Sequence, residues 1–135
     1  MKFQVVIDRK TEQIICTELY NGKAHDGTIF KETTPVNPSI MILADSGYRG
    51  IQKIHANTQY PIRHKADIDK LSEQQKTERK ATNKRIAGLR MKIEHIIGRI
   101  KRFKIVSEKY RNQRKRLLLR FNLICAIVNY QRCLA

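Results

Sequence analysis

The chain reads as an α/β protein with a basic helical C-terminal section, and three observations predict this. Short apolar segments with strand character fill its first half. Two longer segments with helical periodicity follow. Almost all of the positive charge lies in that second part: 28 Lys and Arg face 12 Asp and Glu over 135 residues, a net charge of +16. From Arg79 onward there are 17 bases and only two acids, Glu94 and Glu108, whereas residues 1–78 hold 11 bases and 10 acids. This length suits one domain or a portion of one.

Lys2–Asp8 alternates, with Phe3, Val5 and Ile7 on one face, and predicts a strand. Arg9-Lys10-Thr11 makes the turn, Asp8 serving as its turn former, and Gln13–Tyr20 is the hairpin partner. His25–Glu32 is a short helix with Asp26 as its N-cap. Thr33–Ser39, with Pro35 and Pro38, is a loop. Ile40–Ala44 is an unbroken apolar run, the pattern of a strand buried on both faces. A helix over Ile51–Asn57 comes next, then a short strand over Gln59–His64 that Pro61 places at an edge. Asp67–Glu78 begins helically. Ile86, Leu89, Ile93, Ile96, Ile97 and Ile100 make the apolar stripe of a long helix from about Lys76 to Phe103. Ile105–Tyr110 is a connection, and Arg114–Arg132 is a last helix with Leu117, Phe121, Ile124 and Val128 on one face.

Composition excludes several classes. At 41% hydrophobic residues the chain is not disordered, and no apolar run approaches the roughly 18–20 residues of a membrane span. An acid at Asp8 comes too early for a signal peptide. Cys16, Cys125 and Cys133 have neither an even count nor metal-ligand spacing, so no disulfide framework or zinc site is expected. A soluble cytoplasmic protein that seeks polyanions remains. Bases recurring across several elements favour a phosphate backbone over a membrane surface or a merely solvated face.

Two carboxylates carry the chemical signal. Asp45 directly follows the apolar run, at the C-terminal end of a strand, where open α/β sheets place ligands; position alone equally allows a cap on the next helix. Glu94 borders the Ile86/Ile93/Ile97 stripe and is the only acid between Arg79 and Lys104. Its plain alternative is a counter-ion for Arg90 one turn back. Together, in a basic surround, they suit Mg²⁺-assisted phosphodiester chemistry, although two carboxylates are few for such a site. His25-Asp26 reads as capping, and His55, His64 and His95 share no ligand spacing.

Leu43-Ala44-Asp45-Ser46-Gly47-Tyr48-Arg49-Gly50 resembles the block around the second catalytic aspartate of DDE-superfamily transposases, specifically the bacterial insertion-sequence group related to Harbinger elements. Ile93-Glu94-His95-Ile96-Ile97-Gly98, followed by Lys101-Arg102-Phe103-Lys104, is similar to the block around that group's catalytic glutamate. Tyr110–Arg116 and Phe121-Asn122-Leu123-Ile124 resemble its C-terminal signature, and Gly22, His25-Asp26 and Phe30 fall where the family has its Gly…His-Asp…Phe stretch. The resemblance implies an RNase H-like fold, a divalent metal (Mg²⁺ or Mn²⁺), and cleavage and joining of DNA strands at element ends and target. It makes Asp45 the second acid and Glu94 the third, as catalytic and metal-holding residues. No residue matches the first acid, which the family carries on an opening strand in an Asp-Gly-Thr-like block. Residues 1–135 are therefore expected to be a partial catalytic domain, 1–78 its α/β part and 79–135 its basic helical part. The expected fold is an incomplete RNase H-like one lacking the first, central strand, with a long basic helix and a C-terminal helix. Arg90, Lys101, Arg102, Lys104, Arg111, Arg114, Lys115 and Arg116 are the candidate DNA contacts. Candidate partners are DNA, a chain supplying the upstream part, and a second copy in a homo-oligomer, at the bacterial nucleoid. The alternative is a non-catalytic DNA-binding remnant or regulator of the full-length transposase.

Overall fold

The computed structural model describes residues 2–20, 22–33, 36–63, 65–108 and 116–135. It is mixed α/β: β1 (Lys2–Ile7), β2 (Ile14–Tyr20), α1 (Asp26–Thr33), β3 (Ile42–Leu43), β4 (Thr58–Gln59), α2 (Lys65–Ile68), α3 (Glu73–Lys101), α4 (Lys104–Ser107) and α5 (Leu117–Cys133). Two 3₁₀ turns, Ser46–Tyr48 and Ile51–Lys53, lie between β3 and β4. The described strands form two separate pairs, β1 with β2 antiparallel and β3 with β4 parallel. Packing divides the chain into two units, Met1–Gly22 with Arg90–Ala135, and Lys23–Leu89. No described helix is long and apolar enough to cross a membrane.

The first unit is built on the hairpin. Alternation puts Phe3, Val5 and Ile7 on the face that packs against Ile96, Ile100, Phe121, Ile124, Cys125 and Val128 from α3 and α5. The Phe3 and Phe121 rings stack with centroids 4.2 Å apart. The turn is held by the Asp8 carboxylate, which accepts from Lys10 N at 3.0 Å and Thr11 Oγ1 at 2.8 Å. Helix α5 is fastened to β2 by polar side chains: Asn129 accepts from Ile14 N and donates to Ile14 O, both at 2.9 Å, and Asn122 accepts from the Thr17 hydroxyl. A side-chain amide thus satisfies a strand's backbone pair where, among the described residues, no further strand does.

Glu12 ends the turn with a left-handed φ of 57°, unusual for a residue with a side chain. Its carboxylate binds Lys92 of α3, 3.0 Å away, and Arg132 of α5. Those two partners, Lys92 first and then Arg132, hold the Glu12 carboxyl below its ordinary value of 4.5. A depressed folded value means that the stabilisation is present above the unfolded value and is lost as pH falls through the folded one. Thermal melts should therefore lose stability below about pH 4.5, and Glu12→Gln should flatten that part of the profile.

The second unit packs Ile29 and Phe30 of α1, Ile51 and Ile86 as its buried apolar residues. His55 is buried beside them as a structural group, Nδ1 facing Thr58 Oγ1 and Nε2 facing Asn37 O, both at 3.2 Å. Helix α3 opens with a reciprocal cap: Gln75 Oε1 accepts from Ser72 N at 3.0 Å and Ser72 Oγ from Gln75 N at 3.3 Å. Asn83 and Arg79 of α3 hold the backbone of Ile62, fixing the segment after β4.

Several expectations change. The run Ile40–Ala44 contributes only a two-residue strand, and Ile40 and Met41 are 54% and 47% exposed. It pairs on one side only among the described residues, so its apolar side chains lack a second neighbour to bury them. The helix expected over Ile51–Asn57 is a single 3₁₀ turn, because Gly50 enters it at φ 93° and His55 leaves to bond Asn37. The strand expected over Gln59–His64 is Thr58–Gln59. Within the expected connection Ile105–Tyr110, Lys104–Ser107 forms one helical turn. Asp26 is the first helical residue of α1 rather than its cap; the carbonyl of His25 accepts the first helical amides, from Thr28 and Ile29.

Candidate active site

Asp45 stands one residue past the β3–β4 ladder, whose last bond runs from Ala44 N to Gln59 O at 2.9 Å. Its backbone is extended, and its Oδ1 accepts from Ser46 N at 2.6 Å and from Ser46 Oγ at 3.3 Å. It therefore caps the Ser46–Tyr48 turn, which its own carbonyl closes by accepting from Tyr48 N at 3.0 Å. The residue is nonetheless exposed.

A second carboxylate reaches the same turn. A Cβ on Gly47 would lie 3.0 Å from Asp26 Oδ2, so the glycine gives the Asp26 carboxylate room to approach this turn. The half-buried Tyr48 registers both acids: burial, then Asp26, then Asp45 raise its phenol above the ordinary value of 10.0. Sequence reasoning assigned Asp26 to capping and missed this approach. The one signal available was the His-Asp block within the resemblance, since no spacing rule links positions 26 and 45.

Glu94 lies on α3 in the first unit, whereas Asp45 belongs to the second. Its side chain is 65% exposed and faces Arg90 NH2 at 3.7 Å, the counter-ion arrangement that spacing allowed. An exposed pair at that distance contributes about 0–1 kcal/mol. Among the described residues no group of three or more His, Cys, Asp and Glu is placed to hold a metal ion.

The bases gather where α3 ends. Lys101 closes α3, Arg102 lies in the following turn and Lys104 opens α4, all three exposed. Lys101 and Arg99 also complement the negative end of α3. Arg116 is exposed at the start of α5, with a left-handed φ of 60°. Arg111, Arg114 and Lys115 lie outside the described residues. So does His64, while His25 and His95 are exposed.

The family model for DDE superfamily endonucleases matches residues 1–129 of the chain. The chain belongs to the DDE superfamily. It is 40% identical over 132 residues to the probable transposase for insertion sequence element IS702 of Microchaete diplosiphon, covering 97% of this chain and 46% of that protein. This DDE chain thus spans about half the length of the curated relative that it matches. No solved structure matches it.

Proposed function

We propose that this DDE chain is the C-terminal part of a transposase catalytic domain that cleaves and joins DNA strands once the remaining part is supplied. The observation that carries the reading is Asp45: an exposed acid at the C-terminal end of a parallel strand, on a tight Asp-Ser-Gly-Tyr turn, in a member of a family of endonucleases. In this reading residues 1–78 are the α/β part of one partial domain and 79–135 its basic helical part. An antiparallel pair such as β1–β2 and a parallel pair such as β3–β4 are each kinds of pairing that an RNase H-like sheet contains, which supports this reading.

Asp45 and Glu94 act as the second and third acids. Their oxygens are hard donors suited to Mg²⁺ or Mn²⁺, and both residues are exposed enough to reach an ion. A divalent ion in such a site supplies activation of the attacking oxygen and stabilisation of the leaving one. Asp45 and Glu94 would each contribute a carboxylate to holding it, and the first acid would come from the complementary part. Arg90, Lys101, Arg102, Lys104 and Arg116, with Arg111, Arg114 and Lys115, grip the phosphates of element ends and target. The setting is the cytoplasm, at the nucleoid.

A second reading is a DNA-binding product without catalysis that regulates a full-length transposase, supported by the exposed bases Lys101, Arg102, Lys104 and Arg116. One experiment separates them. The chain is mixed with the portion of the IS702 relative outside the matched stretch, and nicking of duplex DNA is followed with Mg²⁺ or Mn²⁺. Metal-dependent nicking that needs both parts supports the enzyme; binding without nicking under every condition leaves only the regulator.

DNA binding itself should be steeply salt-dependent. Lys101→Ala/Arg102→Ala/Lys104→Ala should make the slope of log K against log salt shallower by about 2.7, roughly 0.9 for each phosphate no longer neutralised. Titrations of a duplex between about 50 and 200 mM salt measure this. An unchanged slope would remove these three bases from the interface.

A further inference from the structure

Arg85 differs from its neighbours in the second unit because its charge is anchored without being neutralised. Arg49 is paired with Asp67 at 2.8 Å and Lys76 with Glu73 at 2.7 Å. Arg85 instead donates from Nη2 to Gln59 Oε1 at 2.6 Å, an uncharged amide, and no acid pairs with it among the described residues. A guanidinium carries five N–H groups in a planar fork, so one bond to an amide leaves donors and the whole charge for an anion. The residue is exposed, within reach of one.

Its place follows from the contacts that build the turn at Asp45. Arg79 and Asn83, on the same stretch of α3, bond the backbone of Ile62, and Ile86 is buried, so this stretch is fixed against the segment after β4. Gln59 is the last residue of β4 and the register partner of Leu43, two residues before Asp45. Partners in a ladder project to the same face, and alternation returns to that face two residues on. The ladder continues to the bond from Ala44 N to Gln59 O, and the Asp45 backbone is extended. Asp45 and the amide that holds Arg85 therefore share one face at one end of the β3–β4 pair. With strands about 4.8 Å apart and a rise of about 3.3 Å per residue, their backbones are roughly 8 Å apart. A fixed guanidinium beside a metal-holding carboxylate is complementary to a phosphodiester, because it can bond a non-bridging oxygen on which charge grows during cleavage.

We infer that Arg85 is a phosphate-binding residue of the candidate active site, held by Gln59 so that its free donors meet a non-bridging oxygen of the DNA strand at Asp45. This rests on the transposase reading, and it adds a substrate contact and the side chain that positions it.

The test uses the full chain and a labelled duplex, titrated between about 50 and 200 mM salt, with a thermal melt for each variant. Arg85→Gln should make the slope of log K against log salt shallower by about 0.9, one phosphate contact, and should melt as the wild type does because glutamine suits a helix as well as arginine. Gln59→Glu should lower the slope by as much with Arg85 still in place, since it turns the anchor into a counter-ion; a purely structural bond would only be strengthened by that change. Lys84→Gln, at an exposed base turned about 100° around the same helix, should leave the slope unchanged. An unchanged slope in Arg85→Gln, or an equal loss in Lys84→Gln, overturns the contact. A loss in Arg85→Gln without one in Gln59→Glu overturns the positioning by Gln59. Any of these beside metal-dependent nicking by the chain and its complementary part leaves the transposase reading standing, whereas a wild type that binds no duplex overturns both.

Discussion

Phe121→Ala should destabilise the chain by about 3–5 kcal/mol, a large fraction of what a domain of this size possesses. Phe121 is 1% exposed, stacks on Phe3 of β1, and sits among Ile96, Ile100, Ile124 and Val128. Its removal leaves a cavity where β1, α3 and α5 meet, and the flanking isoleucines cannot collapse into it without moving α5. The hairpin holds α5 at Asn122 and Asn129 and resists that movement, so the cost should fall at the upper end of the range. Urea unfolding measures it, with Leu123→Ala as control. Leu123 lies on the same helix but is 62% exposed, and its replacement should change stability by no more than about 0.5 kcal/mol. Equal effects at the two positions would contradict the buried and exposed faces assigned to α5.

Under the proposed transposase reading, Asp45→Asn should lower strand cleavage by the chain combined with its complementary part about a thousandfold while leaving the fold intact. Asparagine caps a turn about as well as aspartate, so the bond from Ser46 N survives the change. The substitution removes the charge that a metal-holding role requires, and a loss of about 4 kcal/mol in transition-state stabilisation is a factor of a thousand. If Asp45 were only a cap, the variant would cleave at the wild-type rate. Glu94→Gln should behave in the same way, because its exposed pairing with Arg90 contributes too little for the helix to unfold without it. Single-turnover nicking beside a thermal melt for each variant distinguishes a missing ligand from a missing fold.

The hairpin and the two long helices were legible in the sequence because their apolar periodicity reports directly on which face is buried. Phe3, Val5 and Ile7 alternate, and Phe121, Ile124 and Val128 recur at helical spacing; both sets face the core. Ile40–Ala44 misled for a physical reason. An apolar run records how much burial its residues suit, but not which neighbour provides it, and among the described residues β3 has a neighbour on one side only. Local backbone geometry at Gly50 and a cap-less single turn at Lys104–Ser107 leave no periodic trace at all. At the candidate site, Asp45 was visible as an acid that ends an apolar run. The approach of Asp26 was not, because it uses the room that Gly47 leaves, on a different element.

The amide of Asn129 bonded to both backbone groups of Ile14 bears on how this chain can go wrong. A two-stranded ribbon with both margins open can add copies at either side without limit, as fibres do. Here, at Ile14, one margin is occupied by a side-chain amide of a helix, which cannot extend the ladder. Strand addition is therefore obstructed at that end of β2, which favours pairing at β1, where two copies would close on each other and stop. A mishandled sample should then yield finite pairs, and Asn129→Leu, by unplugging the second margin, should turn those pairs into open-ended aggregates.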